Sequence, residues 1–250
     1  MKTHKYFTGI IFFLALAFQA WGQDATQIIR ESEERARGKS LQADFTMQIV
    51  RPDWSREMSL KSWGKGPDYA LVLVTAPARD KGTANLKRQK ELWNWVPSID
   101  RTIKLPPSMM SQSWMGSDFT NDDIIREFSI VYDYTHKVLG SKVIEGRDCY
   151  QIEMIPKEDA AVVWGKVHLW IDKKDYLQLR GEYFDEDGDL VNVMQASDIR
   201  QLGGRTLPTR MEMIPVEKKG HKTVLIYNNM VFDADISDQF FTVQNMKRVR

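Results

Sequence analysis

The chain has 250 residues, 42% of them apolar, and carries 35 Lys and Arg against 34 Asp and Glu, a formal net charge of +1. That length suits one large domain with a sizeable core, and the balance of charge argues against a nucleic-acid partner, which would want a basic face. Cys149 is the single cysteine, so no intramolecular disulfide can form, and the histidines beyond His4 (His136, His168 and His221) are too scattered for a structural zinc site.

Residues 1–22 read as a secretory signal peptide. Lys2, His4 and Lys5 form a basic head, an apolar run from Ile10 to Phe18 follows, and small residues at Ala20 and Gly22 precede a cut before Gln23. The apolar core is shorter than the about 20 residues that a membrane span needs. No Cys follows it to carry a lipid anchor. Residues 23–250 read as one domain, and export without disulfides fits a bacterial periplasm.

DATQIIRESEERARGKS opens that domain as a helix, capped by Asp24 or Thr26 and ended by Gly38. Ile28, Ile29 and Ala36 give it a thin apolar stripe. Glu31, Glu33, Glu34, Arg35 and Arg37 read as a solvated charged face with local ion pairs. LQADFTMQIVR then alternates, with Phe45, Met47 and Ile49 on one face and Asp44, Thr46 and Gln48 on the other. DYALVLVTAP is apolar on both faces and is expected to be covered on both sides. KELWNWVPSIDRTIKLP reads as two short strands around Pro97 and Ser98, stopped by Pro106 and Pro107.

PSMMSQSWMGSDFTNDD, residues 107–123, follows no strand alternation. Its second half reads as a helix start. Thr120 and Asp123 have the spacing of a capping box, and Phe119 and Ile124 that of a hydrophobic staple. Asp122 and Asp123 then sit where the helix dipole favours acids. The first half, with Met109, Met110, Trp114 and Met115, has no such local reason. Methionine is over-used on surfaces that accept varied apolar partners, while the structural alternative is gap-filling under a loop.

Seven further strands follow from His136 to Asp233, punctuated by turn residues at Gly146, Lys173 to Asp175, Asp187 and Gly188, Gly203 and Gly204, and Lys219 and Gly220. Regular hairpin spacing predicts an antiparallel meander curled into a closed or nearly closed barrel. Within WGKVHLWID, Trp164, Lys166, His168 and Trp170 are expected on one face and Val167, Leu169 and Ile171 on the other. The acidic run from Asp185 to Asp189 reads as a hairpin tip, since the bidentate Glu of a calcium loop is missing and Met194 stands in its place. There is no Gly-x-Ser-x-Gly elbow and no phosphate-binding loop. Cys149 reads as a small buried apolar group, and no nucleophile–base pair is evident. An enzyme, for instance a lipid hydrolase, is the weakest of the functional readings.

Taken together, LQADFTMQIV, ELWNWVPSIDRTIKLPP, SQSWMGSDFTNDD, GRDCYQIEMIPK and WGKVHLWIDKKDYLQLRGEYFD resemble the outer-membrane lipoprotein-sorting superfamily, in its periplasmic LolA-like branch. The resemblance implies a mainly β fold: an incomplete antiparallel β-barrel curled around an N-terminal helix and a helical lid insert. It implies a periplasmic carrier that holds the acyl chains of a lipid or lipoprotein between half-barrel and lid, with no cofactor, no metal and no covalent chemistry, acting as a monomer. On that reading the lid contacts are Met109, Met110, Trp114, Met115 and Phe119, followed by Ile125 and Phe128, with Trp93 and Trp95 as wall residues. The functional Arg of the sorting proteins lies on an early strand, and both Arg51 and Arg56 match that place. The alternative is an accessory subunit docked on an inner-membrane RND or ABC-type transporter and carrying no lipid itself.

Overall fold

The structure, a computed structural model, describes residues 24–89, 91–125, 130–160 and 162–249. The signal segment read over residues 1–22 and the lid candidate Phe128 lie outside the described residues.

One helix and six strands come first: α1 (Ala25–Arg37), β1 (Ser40–Val50), β2 (Ser55–Lys65), β3 (Tyr69–Ala76), β4 (Ala84–Arg88), β5 (Glu91–Val96) and β6 (Arg101–Lys104). Two short helices, α2 (Asn121–Ile125) and α3 (Ile130–Asp133), precede β7 (Tyr134–Ile144), β8 (Arg147–Pro156), β9 (Lys166–Asp172), β10 (Gln178–Phe184), β11 (Leu190–Leu202), β12 (Arg205–Pro215) and β13 (Lys222–Phe232). A short helix, α4 (Val243–Met246), closes the described chain. All thirteen strands form one antiparallel sheet in the order β6-β5-β4-β3-β2-β1-β13-β12-β11-β10-β9-β8-β7.

Each hairpin pairs neighbours in sequence, and the single long-range pairing, β1 with β13, joins the two halves. The sheet stays open. β6 is four residues long and runs into Leu105, Pro106 and Pro107. Prolines offer no N–H to extend a ladder, so the chain leaves the edge and crosses the inner face. Trp114 of this crossing bonds Asn85 on β4, and Asp123 bonds Trp164 just ahead of β9. The sheet thus wraps around the crossing as an incomplete barrel.

The alternation of β1 sets the inner face. Ala43, Phe45, Met47 and Ile49 are buried there, while Asp44, Thr46 and Gln48 point outward and stay partly exposed. The register carries the same face across Met230 and Leu225 of β13, Met213 and Met211 of β12, and Met194 and Ala196 of β11. β3 is covered on both sides. Val72 and Val74 join the inner core, while Leu71 and Leu73 pack outward with Trp63, Leu86 and Trp95 under the C-terminal Ile236, Phe241 and Met246.

α1 lies on the inner face of β7 to β9, where Ile28 and Ile29 bury against Ile152, Val167 and Leu169. Burial of each Ile is worth about 1.5–3 kcal/mol at most, which such a helix needs because short helices are marginal alone. Asp24 caps its start by accepting from the Thr26 N–H. Gly38 ends it at φ 64°, in the left-handed region that glycine enters freely. Arg205 then donates to the carbonyls of Glu34 and Arg35.

Two expectations change. Trp164 does not share a face with Lys166, His168 and Trp170. Gly165 sits so close to the backbone of Asp185 that a Cβ there would lie 2.4 Å from the Asp185 carbonyl oxygen. The alternation stops at that contact, and Trp164 turns inward onto Tyr183. The charged face of α1 is not wholly solvated either: Ser32 is buried, and the Glu33 and Arg37 side chains are 12% and 18% exposed in a 2.9 Å ion pair.

Candidate functional site: a lid loop and the cavity beneath it

The loop from Leu105 to Thr120 contains two 3-10 turns, Pro107–Met109 and Trp114–Gly116. It is fastened to the start of α2 by backbone bonds. The N–H of Asn121 donates to the Gln112 carbonyl and that of Asp122 to the Met110 carbonyl. The Asn121 amide donates to the Met109 carbonyl. The capping box forms in both directions: Thr120 N–H donates to Asp123 Oδ2 at 2.8 Å, and Asp123 N–H donates to Thr120 Oγ1 at 3.0 Å. Phe119 and Ile124 are both buried in the inner core, as a staple requires.

Asp123 also accepts from Trp164 Nε1 at 2.9 Å. Burial pushes its carboxyl above the usual range, although the Thr120 and Trp164 hydrogen bonds favour the charged form. Its acid is therefore occupied in holding α2 to the β8–β9 connection.

Arg51, at the end of β1, fastens the other side of the loop. Its guanidinium donates to the Gly116 carbonyl at 2.8 Å and to Asp118 Oδ2 at 2.9 Å, and also to the Val50 and Lys222 carbonyls. Asp118 is held further by Thr223, whose hydroxyl donates to its carboxylate and accepts from its N–H. Arg56 serves elsewhere, in a 2.6 Å pair with Asp80 at the β3–β4 turn. Among the two early-strand arginines, Arg51 is the one bound to the loop.

Beneath α1, α2 and this loop is a cavity of about 160 Å³. Its strand wall includes Met154, Val167, Leu169, Met194, Met211, Met213, Leu225 and Tyr227. Phe119 and Ile124 face it from the lid, and Glu33, Arg37, Asp122, Asp123, Gln178 and Tyr183 bring polar groups to its rim. Burial raises the Tyr183 hydroxyl well above the usual tyrosine range, so it stays a neutral donor.

Of the residues expected to touch a ligand, Phe119 lines this cavity. Trp114 and Met110 are buried in the core, 1% and 4% exposed, and Met109 and Met115 pack against the same core while partly exposed. Trp114 Nε1 donates to Asn85 at 3.0 Å, a buried bond that gives this residue a structural task. Trp93 and Trp95 lie on the outer face. Trp95 packs with Phe241 and Met246 under the C-terminal segment and carries Lys247 over its ring. They are therefore not walls of the space under the lid. α2 contains Ile125, whose side chain, like Phe128, is outside the described set.

The residues that the sequence reading missed are the strand methionines. Met211 and Met213 alternate by two within RMEMIP, and Met194 pairs with Met213 across β11 and β12. That alternation marks one face, but which face meets the lid depends on the crossing loop.

His168 lies on the outer face between Glu153, at 3.3 Å, and Glu182, at 4.0 Å, with edge contacts to Trp170 and Phe184. The acidic tip is a turn device: Asp185 Oδ1 accepts from the N–H groups of Asp187 and Asp189. Cys149 is fully buried, and burial raises its thiol to about 11.

No curated protein matches the chain. A protein-family model described as "Uncharacterized protein" matches residues 66–248. Among solved structures, a DUF1329 family protein from Desulfovibrio piger superposes with a TM-score of 0.81 at 23% identity, covering 89% of this chain and 97% of that one. A LolA superfamily protein from Nitrosomonas europaea gives 0.77 at 26% identity over 88% and 98% of the two chains. A Vibrio parahaemolyticus domain described as an outer membrane lipoprotein-sorting protein domain gives 0.76 at 24% identity over 90% and 98%. The chain belongs to the family that this model describes, and its half-barrel with a crossing lid is the fold of the LolA superfamily of outer-membrane lipoprotein-sorting proteins.

Proposed function

We propose that this protein is a periplasmic carrier that shields an acyl chain of a lipid or lipoprotein between its half-barrel and its lid, as a monomer and without covalent chemistry. The observation that carries the reading is the cavity wall. Met154, Met194, Met211 and Met213 face one space under the lid, and methionine walls adapt to flexible apolar guests. Each buried CH₂ contributes about 0.8 kcal/mol, so even part of a chain gives useful affinity. Release calls for a lid that can let go. The Arg51 contacts to Gly116 and Asp118 supply a latch of polar bonds.

The test is quenching of Trp164, which sits on the cavity, by a brominated acylglycerol. Saturable quenching that Met194→Trp abolishes supports the reading; no quenching at any concentration overturns it. The alternative, docking on an RND or ABC-type transporter, draws on the free edge strand β7, where Val138, Leu139 and Val143 are exposed. Co-purification with an inner-membrane permease that is lost on Val143→Asp would favour it.

A further inference from the structure

A second, smaller chamber of about 90 Å³ lies beneath the last turns of α1. Leu41, Leu207 and Met230 from β1, β12 and β13 form its floor, and Ser32 and Ala36 form its roof. It adjoins the main cavity, because Glu33, Arg37, Gln178, Met211 and Tyr227 line both. The Glu33–Arg37 ion pair, 2.9 Å long, stands at the junction.

Ser32, Glu33, Arg35, Arg37, Tyr176 and Gln178 bring polar groups to the roof and sides, but the floor offers no polar partner, so it favours the apolar part of a guest. Small apolar cavities stay dry and take apolar guests, and a cavity of roughly 150 Å³ accommodates a benzene-sized molecule. The main cavity is of that size, so a long acyl chain does not end within it. The shared Met211 and Tyr227 surface is the apolar way onward.

We propose that the second chamber is an acyl-chain subsite. It receives the far end of a long chain threaded past the Glu33–Arg37 pair and thereby sets the preferred chain length. This rests on the carrier reading. A short chain is satisfied by the main cavity alone, whereas a long one gains from both chambers.

The experiment compares monooctanoylglycerol with monopalmitoylglycerol, delivered from cyclodextrin and followed by calorimetry, on the wild-type chain and on two variants that fill the second chamber. Ala36→Met fills it from the roof and leaves every sheet residue unchanged, and Leu207→Trp fills it from the floor. The expected result is a loss of palmitoyl binding of about tenfold, the worth of roughly two methylenes, with octanoyl binding changed by less than about twofold. Retained octanoyl binding certifies in the same sample that the variant is folded. Equal losses for both chains, or no loss for palmitoyl, would overturn the subsite while leaving the carrier intact. A wild-type protein that binds neither lipid overturns the carrier reading itself, and the subsite falls with it.

Discussion

Arg51 and Asp118 lie 67 positions apart and meet in a 2.9 Å ion pair whose side chains are 10% and 5% exposed. One partner directly follows β1, and the other belongs to the loop that crosses the inner face. The pair, with the Gly116 carbonyl beside it, joins lid to wall. Removing one partner of a buried pair strands the other and costs about 3 kcal/mol or more. Arg51→Ala should lower stability by that order in urea unfolding and should speed amide exchange over residues 111–120. Arg56→Ala, which breaks the Asp80 pair and the Met58 sulfur contact away from the loop, should leave exchange in that loop unchanged. Equal effects of the two substitutions on the loop would remove Arg51 from the latch.

The capping box makes a second, more local prediction. Thr120→Ala removes the hydroxyl that accepts from Asp123 N–H and should cost about 1 kcal/mol, whereas Thr120→Ser should be nearly neutral. Denaturant midpoints of the two variants decide it.

Trp114→Ala should cost about 3–5 kcal/mol, the usual range for truncating a buried aromatic. It also leaves the buried Asn85 carbonyl oxygen without its donor. Trp114→Phe should recover part of that loss but not the hydrogen bond. A Trp114→Ala variant with wild-type stability would return this residue to the list of ligand contacts.

Two titratable groups shielded from solvent predict pH dependences of opposite sign. Burial raises Asp123, so the folded chain keeps this proton to higher pH than the unfolded chain does. Its contribution is present below the ordinary carboxylate range and is lost as pH rises through the raised value. Burial lowers His136, whose ring contacts Thr26 Oγ1 and the Ile130 carbonyl; the Ile130 hydrogen bond and Asp24 oppose the shift, and Lys157 and Arg30 add to it. This half-buried ring's contribution is present above the ordinary histidine value of about 6.5 and is lost as pH falls toward the depressed one. The stability difference between wild type and Asp123→Asn should therefore shrink with rising pH, and that between wild type and His136→Gln should shrink with falling pH. Urea unfolding across a pH series reads both, and a difference that is flat with pH removes the corresponding group from the account.

What could be read from sequence was what local rules decide. The Thr120 to Ile124 helix start, the Asp24 and Gly38 caps, the β1 alternation and the two-sided burial of β3 each depend on neighbours a few positions away. Trp114 was not legible in this way, because its partner Asn85 lies 29 positions back on another strand. Trp93 and Trp95 share a face by alternation. That they face outward depends on Ile236, Phe241 and Met246 arriving from the far end of the chain. The same limit hid the cavity wall, since the spacing of Met211 and Met213 marks a common face without saying that a lid covers it. That Arg51 and not Arg56 binds the loop likewise depended on the path of the crossing.

On the proposed function, the space under the lid takes an acyl chain. Native mass spectrometry of the protein purified gently from an envelope fraction tests it most directly. The expected spectrum holds a population heavier than the bare chain by the mass of an acylated lipid, stripped by collisional activation and missing from Met194→Trp. Bare protein alone in every wild-type preparation, together with no uptake of added acylglycerol, would contradict it.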